Sequence, residues 1–285
     1  MAETYVVAFS CENRPGIVAA ASAALFKTGC NIRDAQQFDD LRTGQFFGRI
    51  EFNLVDGTDE ALVRRQLTVA FVPFDMDWSL RSKAQKRRVM LLASRWDHCL
   101  ADLLYRWRTG ELSIDIAGII SNYPQETYKH LHFSSMPFHY LPVTKETKAV
   151  QEAQIWGLVQ ESGADLVVLA RYMQILSNDL CGKLAGKCIN IHHSFLPGFK
   201  GARPYQQAHE RGVKIIGATA HYVTGDLDEG PIIEQDIERV SHRDTPEDLV
   251  RKGRDIERRV LARAVRAHIE DRVFLNGAKT IVFPE

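Results

Sequence analysis

The sequence predicts an α/β protein in two parts, a small ferredoxin-like βαββαβ unit followed by a Rossmann-like, mostly parallel sheet. Residues 1–80 alternate strand-like and helix-like segments in that order, and from Val89 continuous apolar runs alternate with helical patterns. Between them, RSKAQKRR at 81–88 is basic and polar, which is typical of a linker. We therefore expect one domain at residues 1–80 and a second at 89–285.

Each element of the first unit has a local signal. TYVVAFSC is a β-rich run, and RPGIVAAASAALFKTG has helical spacing, with Pro15 suited to the first helical position. NIRDAQQFDD and GQFFGRIEFNL are strand-like runs that the short segment LRT separates. DEALVRRQLTVAF predicts the second helix, and PFDMDWSL predicts the last strand.

The second region begins with RVMLLAS, an apolar run typical of a strand covered on both faces. Helical and strand-like segments then alternate as far as CINIH, and IIGATAHYV predicts a further strand. A long helix follows, with Thr245 as its expected N-cap and Pro246 at its first position. The pair Asn276-Gly277 then indicates a hairpin.

Composition and charge argue against several classes of function. The 285 residues carry 36 basic and 36 acidic side chains, so no global field attracts nucleic acid or an anionic membrane. No apolar run approaches the ~20 residues that span a bilayer, and the first residues lack a secretion signal. Five scattered cysteines without a C-x-x-C pair argue against a zinc cage or a disulfide scaffold. We expect a cytoplasmic protein without nucleic-acid or membrane partners.

Polar residues follow several of the predicted strands. Sites on parallel sheets gather beyond the carboxyl ends of the strands, which makes candidates of His98, Asn122, residues 171–176, residues 190–194, His221, Asp226 and Asp228. The first crossover, ASRWDHCLADLL, contains no glycine, whereas a dinucleotide or phosphate loop needs glycine there. We therefore expect no NAD, FAD or Walker-type phosphate site. For His98, contact with a substrate and simple packing at the helix start both remain open.

Two adjacent histidines, His192 and His193, stand at the end of CINIH. Alternate side chains of a strand share one side, so Asn190 and His192 should project together and His193 should face away. Because adjacent histidines diverge on a strand and His209 and His221 are dispersed, we expect no metal site.

Three motifs carry a resemblance to a known family. NIHHSFLPGFKGA and HYVTGDLDEGPII together resemble the formyltransferase family, and HCLADLLYRWRTGEL narrows this to its formyltetrahydrofolate deformylase branch. ENRPGIV at 12–18 resembles the ACT domain, with Asn13 where that domain usually has aspartate. The resemblance covers nearly the whole chain. It implies hydrolysis of 10-formyltetrahydrofolate to formate and tetrahydrofolate, which supplies formate for purine biosynthesis and balances one-carbon pools, without a metal or other cofactor.

The resemblance implies that Asn190, His192 and Asp228 form the catalytic trio, with His221 supporting it. The chemistry agrees, because loss of a formyl group passes through a tetrahedral species with negative charge on oxygen. An amide and an imidazolium are suitable donors to that oxygen, each worth roughly 3 kcal/mol when buried. Asp228 is expected to position and deprotonate water and to keep His192 protonated.

The resemblance also implies a folate pocket and a regulatory site. The folate pocket would comprise Met173, Gln174, Ile175, Leu176, Thr224, Gly225 and Asp226. Plain core packing is the alternative for Met173 and Ile175, and Lys200 and Arg203 would either attract the glutamate tail of folate or be solvated. The first unit would form homo-oligomers and bind an amino-acid effector, glycine or methionine, at Asn13, Arg14, Pro15, Gly16 and Ile17. The alternative is that Pro15-Gly16 only begins a helix.

The alternative function is a folate-dependent formyltransferase with an amine acceptor. A transferase that holds an acceptor phosphate usually needs a glycine-rich first turn, which SRWDHCLADLL lacks. The charged loop PGFKGARPY slightly resembles the transferase loop and to that extent favours a transferase. A third hypothesis, an amino-acid sensor that binds folate without turnover, does not account for Asn190, His192 and Asp228.

Overall fold

Contacts between residues divide the chain into two units, each with its own sheet and core. One unit contains the chain up to Lys86 together with Glu270–Asn276 and Ile281–Glu285, and the other contains Arg87–Ile269 and Gly277–Thr280. The computed structural model describes residues 3–55, 59–133, 136–196 and 204–285. No helix in these ranges is long and apolar enough to cross a membrane.

The N-terminal unit has the βαββαβ order that the sequence predicts. Its strands form an antiparallel sheet in the order β2-β3-β1-β4. The elements are β1 (Thr4–Glu12), α1 (Ile17–Lys27), β2 (Asn31–Asp40), β3 (Gln45–Asn53), α2 (Glu60–Phe71) and β4 (Asp77–Ser82).

Two boundaries in this unit differ from the sequence-based expectation. Helix α1 begins at Ile17, so Pro15 precedes the helix and Gly16, with φ of 96°, is its N-cap. Glycine adopts this left-handed conformation without steric cost, which explains its place in the turn. Strand β4 begins late because Val72–Phe74 form a 3-10 turn after α2.

The C-terminal residues group with the N-terminal unit, whereas the sequence predicts that everything after residue 89 belongs to the second domain. One face of the sheet packs on α1 and α2, and Phe47 of β3 lies on the other face. The ring of Phe274 meets that of Phe47 at 5.7 Å, and Arg81 forms an ion pair of 2.6 Å with Asp271. The predicted linker at 81–88 is also shorter, because only residues 83–86 lie outside strands.

The second unit is built on a seven-stranded sheet in the order β11-β10-β9-β8-β5-β6-β7. Five neighbouring strands, β9, β8, β5, β6 and β7, are parallel to one another. Strand β10 pairs antiparallel with both β9 and β11. Its elements are β5 (Arg87–Ala93), α3 (His98–Arg108), β6 (Ile114–Ser121), β7 (Phe138–Tyr140), α4 (Lys148–Ser162), β8 (Leu166–Leu169), α5 (Asn178–Lys183), β9 (Cys188–His192), α6 (Pro204–Glu210), β10 (Ile215–Tyr222), β11 (Ile232–Arg239) and α7 (Pro246–Ile269).

The central strand β5 is buried on both faces, as its apolar run predicts. Met90 and Leu92 belong to a core that includes residues of α4 and α5, and the alternate residues Val89 and Leu91 are equally buried. Helix α7 packs against β9, β10 and β11. The sequence analysis missed two elements, α6 and β11; in β11 charged residues interrupt the apolar pattern of a strand.

Two local signals near the C-terminus are confirmed. The Thr245 hydroxyl accepts a hydrogen bond of 3.2 Å from the backbone N–H of Asp248, so it caps α7 as expected. The hairpin predicted at Asn276-Gly277 joins β12 (Val273–Asn276) to β13 (Lys279–Val282).

Candidate active site

A cavity of about 340 Å³ opens beside the carboxyl ends of β8 and β9. The loop between β10 and β11 closes one side of it. All three predicted catalytic residues, all seven predicted folate-binding residues and His221 line this cavity. Carboxyl-end loops of a parallel sheet are where such a site is expected, because the loops from neighbouring strands converge there. The lining comes mainly from residues 171–176, 190–193 and 223–228.

His192 is the last residue of β9 and has one free ring nitrogen. Its Nδ1 lies 3.1 Å from Oδ1 of Asp228. Its Nε2 is buried and has no hydrogen-bond partner among the residues that the structure describes. A buried polar atom without a partner is costly, so its presence in a cavity requires an explanation. The free Nε2 is therefore suited to an atom of a bound substrate.

The loop between β10 and β11 delivers Asp228 to this position. Asp228 has a left-handed backbone with φ of 58°, which is uncommon for a residue with a side chain. The loop closes tightly two residues later, where a Cβ added at Gly230 would lie 1.7 Å from the carbonyl oxygen of Tyr222. Only glycine permits that approach of the two backbone segments. Gly230 thus allows the loop to turn back and bring Asp228 to His192.

Asp228 is held in its charged form. Burial by itself would raise the pKa of its carboxyl group, but the hydrogen bonds and charges of His192 and His221 outweigh burial. As a result, the pKa of Asp228 lies well below its usual range. A carboxylate with a depressed pKa is a good hydrogen-bond acceptor and a weak base.

Asn190 and His221 form a second pair, directly across the β9–β10 ladder. The Nδ1 of His221 lies 2.8 Å from the carbonyl oxygen of Tyr222, and since a carbonyl only accepts, this nitrogen carries a hydrogen. The Nε2 of His221 lies 3.3 Å from the amide nitrogen of Asn190 and 3.7 Å from Oδ1 of Asp228, so its ring contacts both side chains. The Asn190 amide lines the cavity, where it can donate a hydrogen to a ligand.

His193 does not face away from the site as the sequence predicts. Its ring stacks on that of His192, with centroids 5.1 Å apart and an interplanar angle of 24°, and it lines the same cavity. Strand β9 ends at His192, so the alternation of side chains no longer applies to the next residue. Its Nδ1 lies 2.6 Å from a guanidinium nitrogen of Arg171.

The walls of the cavity contain exposed apolar side chains. Met173 is 51% exposed and Ile175 is 61% exposed, so core packing does not account for either residue. The backbone N–H of Met173 donates a 3.0 Å hydrogen bond to the Ser94 hydroxyl, which in turn donates to Oδ1 of Asn122 at 2.6 Å. Ser94 and Asn122 follow β5 and β6, so residues at neighbouring strand ends support this wall.

Sequence analysis included Arg171 among the candidates but missed two polar residues that lie near it, Tyr205 and Glu257. Arg171 forms an ion pair of 3.3 Å with Glu257, and the hydroxyl of Tyr205 donates to Glu257 at 2.7 Å. Glu257 is only 1% exposed. A signal was available, because Glu257 follows Ile256 and precedes Val260 on the apolar stripe of α7. A carboxylate on such a stripe requires buried partners.

His98, Cys99 and Glu257 bring three ligand-type atoms within 4.8 Å of one another. The group fits a metal ion poorly. Burial raises the pKa of the Cys99 thiol well above its usual value, so the thiol stays protonated. Glu257 is already bound by His98 at 2.7 Å and by Arg171, whose positive charge opposes a cation. His98 therefore packs against a buried acid at the start of α3.

The predicted regulatory turn of the N-terminal unit is largely open to solvent. Residues 13–16 are exposed and Ile17 is buried. The backbone N–H of Asn13 donates to the carbonyl of Gly44 at 2.8 Å, and Arg14 donates to the carbonyl of Phe74 at 3.2 Å. The turn is thus held in place while its outer surface stays accessible. Lys200 and Arg203, the predicted contacts to the glutamate tail, lie outside the described residues.

Two family models match the chain. The formyl transferase model matches residues 87–265, and the ACT domain model matches residues 5–69. These ranges correspond to the seven-stranded sheet with its helices and to most of the N-terminal unit.

Named relatives match nearly the whole chain. The formyltetrahydrofolate deformylase of Bacillus subtilis (strain 168) is 50% identical over 96% of this chain and 92% of its own length. That of Corynebacterium sp. (strain P-1) is 46% identical over 98% of this chain and 97% of its own length. The crystal structure of formyltetrahydrofolate deformylase from Burkholderia mallei ATCC 23344 has a TM-score of 0.93 and 49% identity, covering 99% of this chain and 100% of that one. With these matches over both units, the chain belongs to the formyltetrahydrofolate deformylase family, in which an ACT domain precedes a formyl transferase domain.

Proposed function

We propose that this enzyme hydrolyses 10-formyltetrahydrofolate to formate and tetrahydrofolate through Asn190, His192 and Asp228. The single observation that carries the proposal is the free, buried Nε2 of His192 in a cavity whose other side presents Asp228. The released formate would supply purine biosynthesis, and the reaction would balance one-carbon pools.

In the first step, water adds to the formyl carbon. A C–O bond forms, and the π electrons of the carbonyl move to its oxygen, which becomes an oxyanion. The protonated Nε2 of His192 and an amide hydrogen of Asn190 donate to that oxygen. The negative charge of Asp228, 3.1 Å from the other ring nitrogen, stabilises the positive ring. Each buried donor contributes roughly 3 kcal/mol to the transition state.

Asp228 has a more limited role than that of a free base. Its depressed pKa makes it a weak proton acceptor, so it orients the attacking water by accepting a hydrogen bond from it. The water proton becomes acidic only as the C–O bond forms, and Asp228 then takes it up in the same step. In the second step the oxyanion re-forms the C=O bond as the C–N bond breaks, and Asp228 returns its proton to N10 of the folate. Formic acid leaves and loses its remaining acidic proton to water as formate.

The cavity supports binding of the pterin end of the substrate. Its volume of about 340 Å³ lies at the lower end of the range for small-molecule sites, which suits a single ring system with the formyl group. The apolar side chains of Met173 and Ile175 would cover the ring, with Leu176 behind them. Gln174, Thr224, Gly225 and Asp226 would supply polar contacts from two sides. No cofactor enters any of these steps.

The decisive experiment mixes purified protein with 10-formyltetrahydrofolate and no amine acceptor. Release of stoichiometric formate and tetrahydrofolate, followed by absorbance and by a formate assay, is the expected result. Release that begins only when an amine is added would contradict hydrolysis and support a folate-dependent formyltransferase. Tight folate binding without turnover would support the sensor hypothesis.

We also propose a regulatory role for the N-terminal unit. The match to the ACT domain model supports an amino-acid effector, glycine or methionine, at Asn13, Arg14, Pro15, Gly16 and Ile17. It likewise supports assembly into a homo-oligomer, which size-exclusion chromatography with light scattering would measure. The five cysteines are free, which supports a reducing, cytoplasmic setting.

A further inference from the structure

A chain of buried and partly buried polar groups runs behind His192. Glu257 of α7 lies 3.3 Å from Arg171, and Arg171 lies 2.6 Å from Nδ1 of His193. The ring of His193 in turn stacks on that of His192 at 5.1 Å. Three side chains from distant parts of the sequence therefore connect α7 to the proposed oxyanion donor.

The contact with Arg171 determines the protonation of His193. A guanidinium only donates hydrogen bonds and does not lose its proton in proteins. The Nδ1 of His193 must therefore be the bare, accepting nitrogen, and the ring hydrogen must reside on Nε2. A proton on Nδ1 would replace this hydrogen bond by a clash between two positive groups. In this arrangement, His193 is a neutral imidazole with one fixed tautomer.

Arg171 is itself held in an unusual state. Its backbone is left-handed, with φ of 63°, a conformation that costs free energy for a residue with a side chain. The strain persists because Glu257 and His193 hold the side chain from both ends. Glu257 offsets part of the positive charge of Arg171.

A single proton on the stacked pair is electrostatically favourable. Two imidazolium rings at 5.1 Å would repel each other, and burial would strengthen the repulsion. Asp228 lies 3.1 Å from Nδ1 of His192, where its negative charge favours a proton on that ring. Hence the two histidines, adjacent in sequence, have different partners, a carboxylate for His192 and a guanidinium for His193.

We propose that Glu257, Arg171 and His193 are positioning residues that hold one neutral imidazole against His192, so that His192 alone carries the catalytic proton. The inference rests on the proposed role of His192 as an oxyanion donor. It assigns to His193 a function that neither a metal site nor an outward-facing histidine would include.

The charged and aromatic groups around His193 agree with a neutral ring. They are Arg171, Glu257, His192, Asp228 and the ring of Tyr205, whose centroid lies 6.2 Å away. Burial, followed by the charge of Arg171, lowers the pKa of His193 to about 4, and the two carboxylates only partly oppose this.

Nitrogen-15 NMR of histidine-labelled protein tests the charge state without any substrate. In the wild type we expect one bare and one protonated nitrogen on His193, unchanged from pH 8 to pH 5, with the signals assigned by their loss in His193→Asn. In Arg171→Gly, which suits the left-handed backbone, we expect His193 to titrate near the ordinary value of about 6.5. His193 titrating near that value in the wild type, or keeping its wild-type signals in Arg171→Gly, would overturn the inference.

Kinetics of formate release then separate positioning from plain structural support. Arg171→Gly should lower kcat about 10- to 100-fold, with KM changed by less than about threefold, because the donor is misplaced while the folate walls remain. Glu257→Gln alone leaves the charge of Arg171 without a partner and can prevent folding. The double variant Arg171→Gly with Glu257→Gln removes both charges together, and we expect it to show the same loss of kcat as Arg171→Gly. Arg263→Ala, an exposed arginine of α7, is the matched control and should keep wild-type kcat.

The two failures are distinguishable. Absence of formate release by the wild type would contradict the proposed function. Unchanged kcat in Arg171→Gly alongside active wild-type enzyme would contradict only the positioning role of the chain. A fall in thermal stability with unchanged His193 signals and unchanged kcat would identify a purely structural ion pair.

Discussion

The Nδ1 of His192 lies 3.1 Å from Oδ1 of Asp228, although helix α6 and strand β10 separate the two residues in sequence. His192 is fixed by the ladder of β9, whereas Asp228 reaches it from a left-handed position in the β10–β11 loop. A strained backbone persists only when the surroundings determine it, and here the partners are two histidines. The sheet thus holds His192 rigidly, whereas the position of Asp228 depends on the contacts of its loop.

Asp228→Asn should abolish hydrolysis while preserving the fold. Asparagine tolerates the left-handed backbone, but it carries no charge to stabilise protonated His192 or to take up the water proton. We expect formate release to fall about 1000-fold, which corresponds to about 4 kcal/mol. Calorimetry should still detect folate binding, and Asp179→Asn, which removes an exposed carboxylate, should behave as the wild type. A variant within tenfold of the wild-type rate would contradict the role of Asp228.

Stability should depend on pH through His193. Its pKa is lowered to about 4 in the folded protein, mainly by burial and then by Arg171, whereas an unfolded histidine has a pKa of about 6.5. Between these values the unfolded chain binds more protons, so the stabilising contribution is complete above pH 6.5 and is lost as pH falls towards 4. The contribution amounts to about 3 kcal/mol.

Urea unfolding between pH 7.5 and 4.5 measures this effect. The pH dependence of the free energy of unfolding should be weaker in His193→Asn than in the wild type over this range. His242→Asn, at an exposed histidine, should retain the wild-type dependence. Equal dependence in all three proteins would contradict a neutral, buried His193.

Gly230→Ala should destabilise the loop that carries Asp228. The added methyl group would lie 1.7 Å from the carbonyl oxygen of Tyr222, and that backbone atom cannot turn aside. We expect a loss of about 1–3 kcal/mol in the free energy of unfolding and a fall in kcat of about 100-fold. Gly157→Ala in α4 is the matched control, because a Cβ added there meets open space. This substitution should stabilise the helix by up to about 1 kcal/mol. Equal effects of the two substitutions would disprove the steric account.

Ile175→Ala should weaken substrate binding with little effect on folding. The side chain is largely exposed in the cavity wall, so its loss removes contact with the pterin rather than core packing. An apolar side chain of this size contributes about 1.5 kcal/mol when a ligand covers it, so KM should rise about tenfold at nearly constant kcat. Ile215→Ala, at an exposed isoleucine outside the cavity lining, should leave KM unchanged.

An amino-acid effector should raise the thermal stability of the protein. A ligand present at 100 times its Kd stabilises the folded state by about 2.7 kcal/mol, which a thermal-shift screen of the twenty amino acids detects. We expect glycine or methionine to give the largest shift, and Asn13→Ala to remove it. Asn31→Ala, at an exposed asparagine of β2, should leave the thermal shift unchanged. No shift with any amino acid would contradict the proposed regulatory turn.

Local patterns in the sequence predicted most of the fold. Apolar period, N-caps and turn residues act within a few positions, so the order of elements, the cap at Thr245 and the hairpin at Asn276-Gly277 were accessible without coordinates. Residues that follow the parallel strands β8 and β9 meet at one edge of the sheet, so this part of the cavity lining was accessible from topology. The lining residues after the antiparallel strand β10 were indicated by the family resemblance instead. The motifs alone were specific enough to indicate the family.

Only the tertiary structure decided how polar side chains pair across long sequence separations. Alternation predicted an outward His193, but β9 ends one residue earlier and Arg171 draws the ring onto His192. Glu257 could be recognised as a misplaced charge on an apolar stripe, yet its partners come from other segments. Hydrogen bonds depend on distances of a few tenths of an ångström, and such distances follow from the packing of whole elements rather than from the spacing of residues.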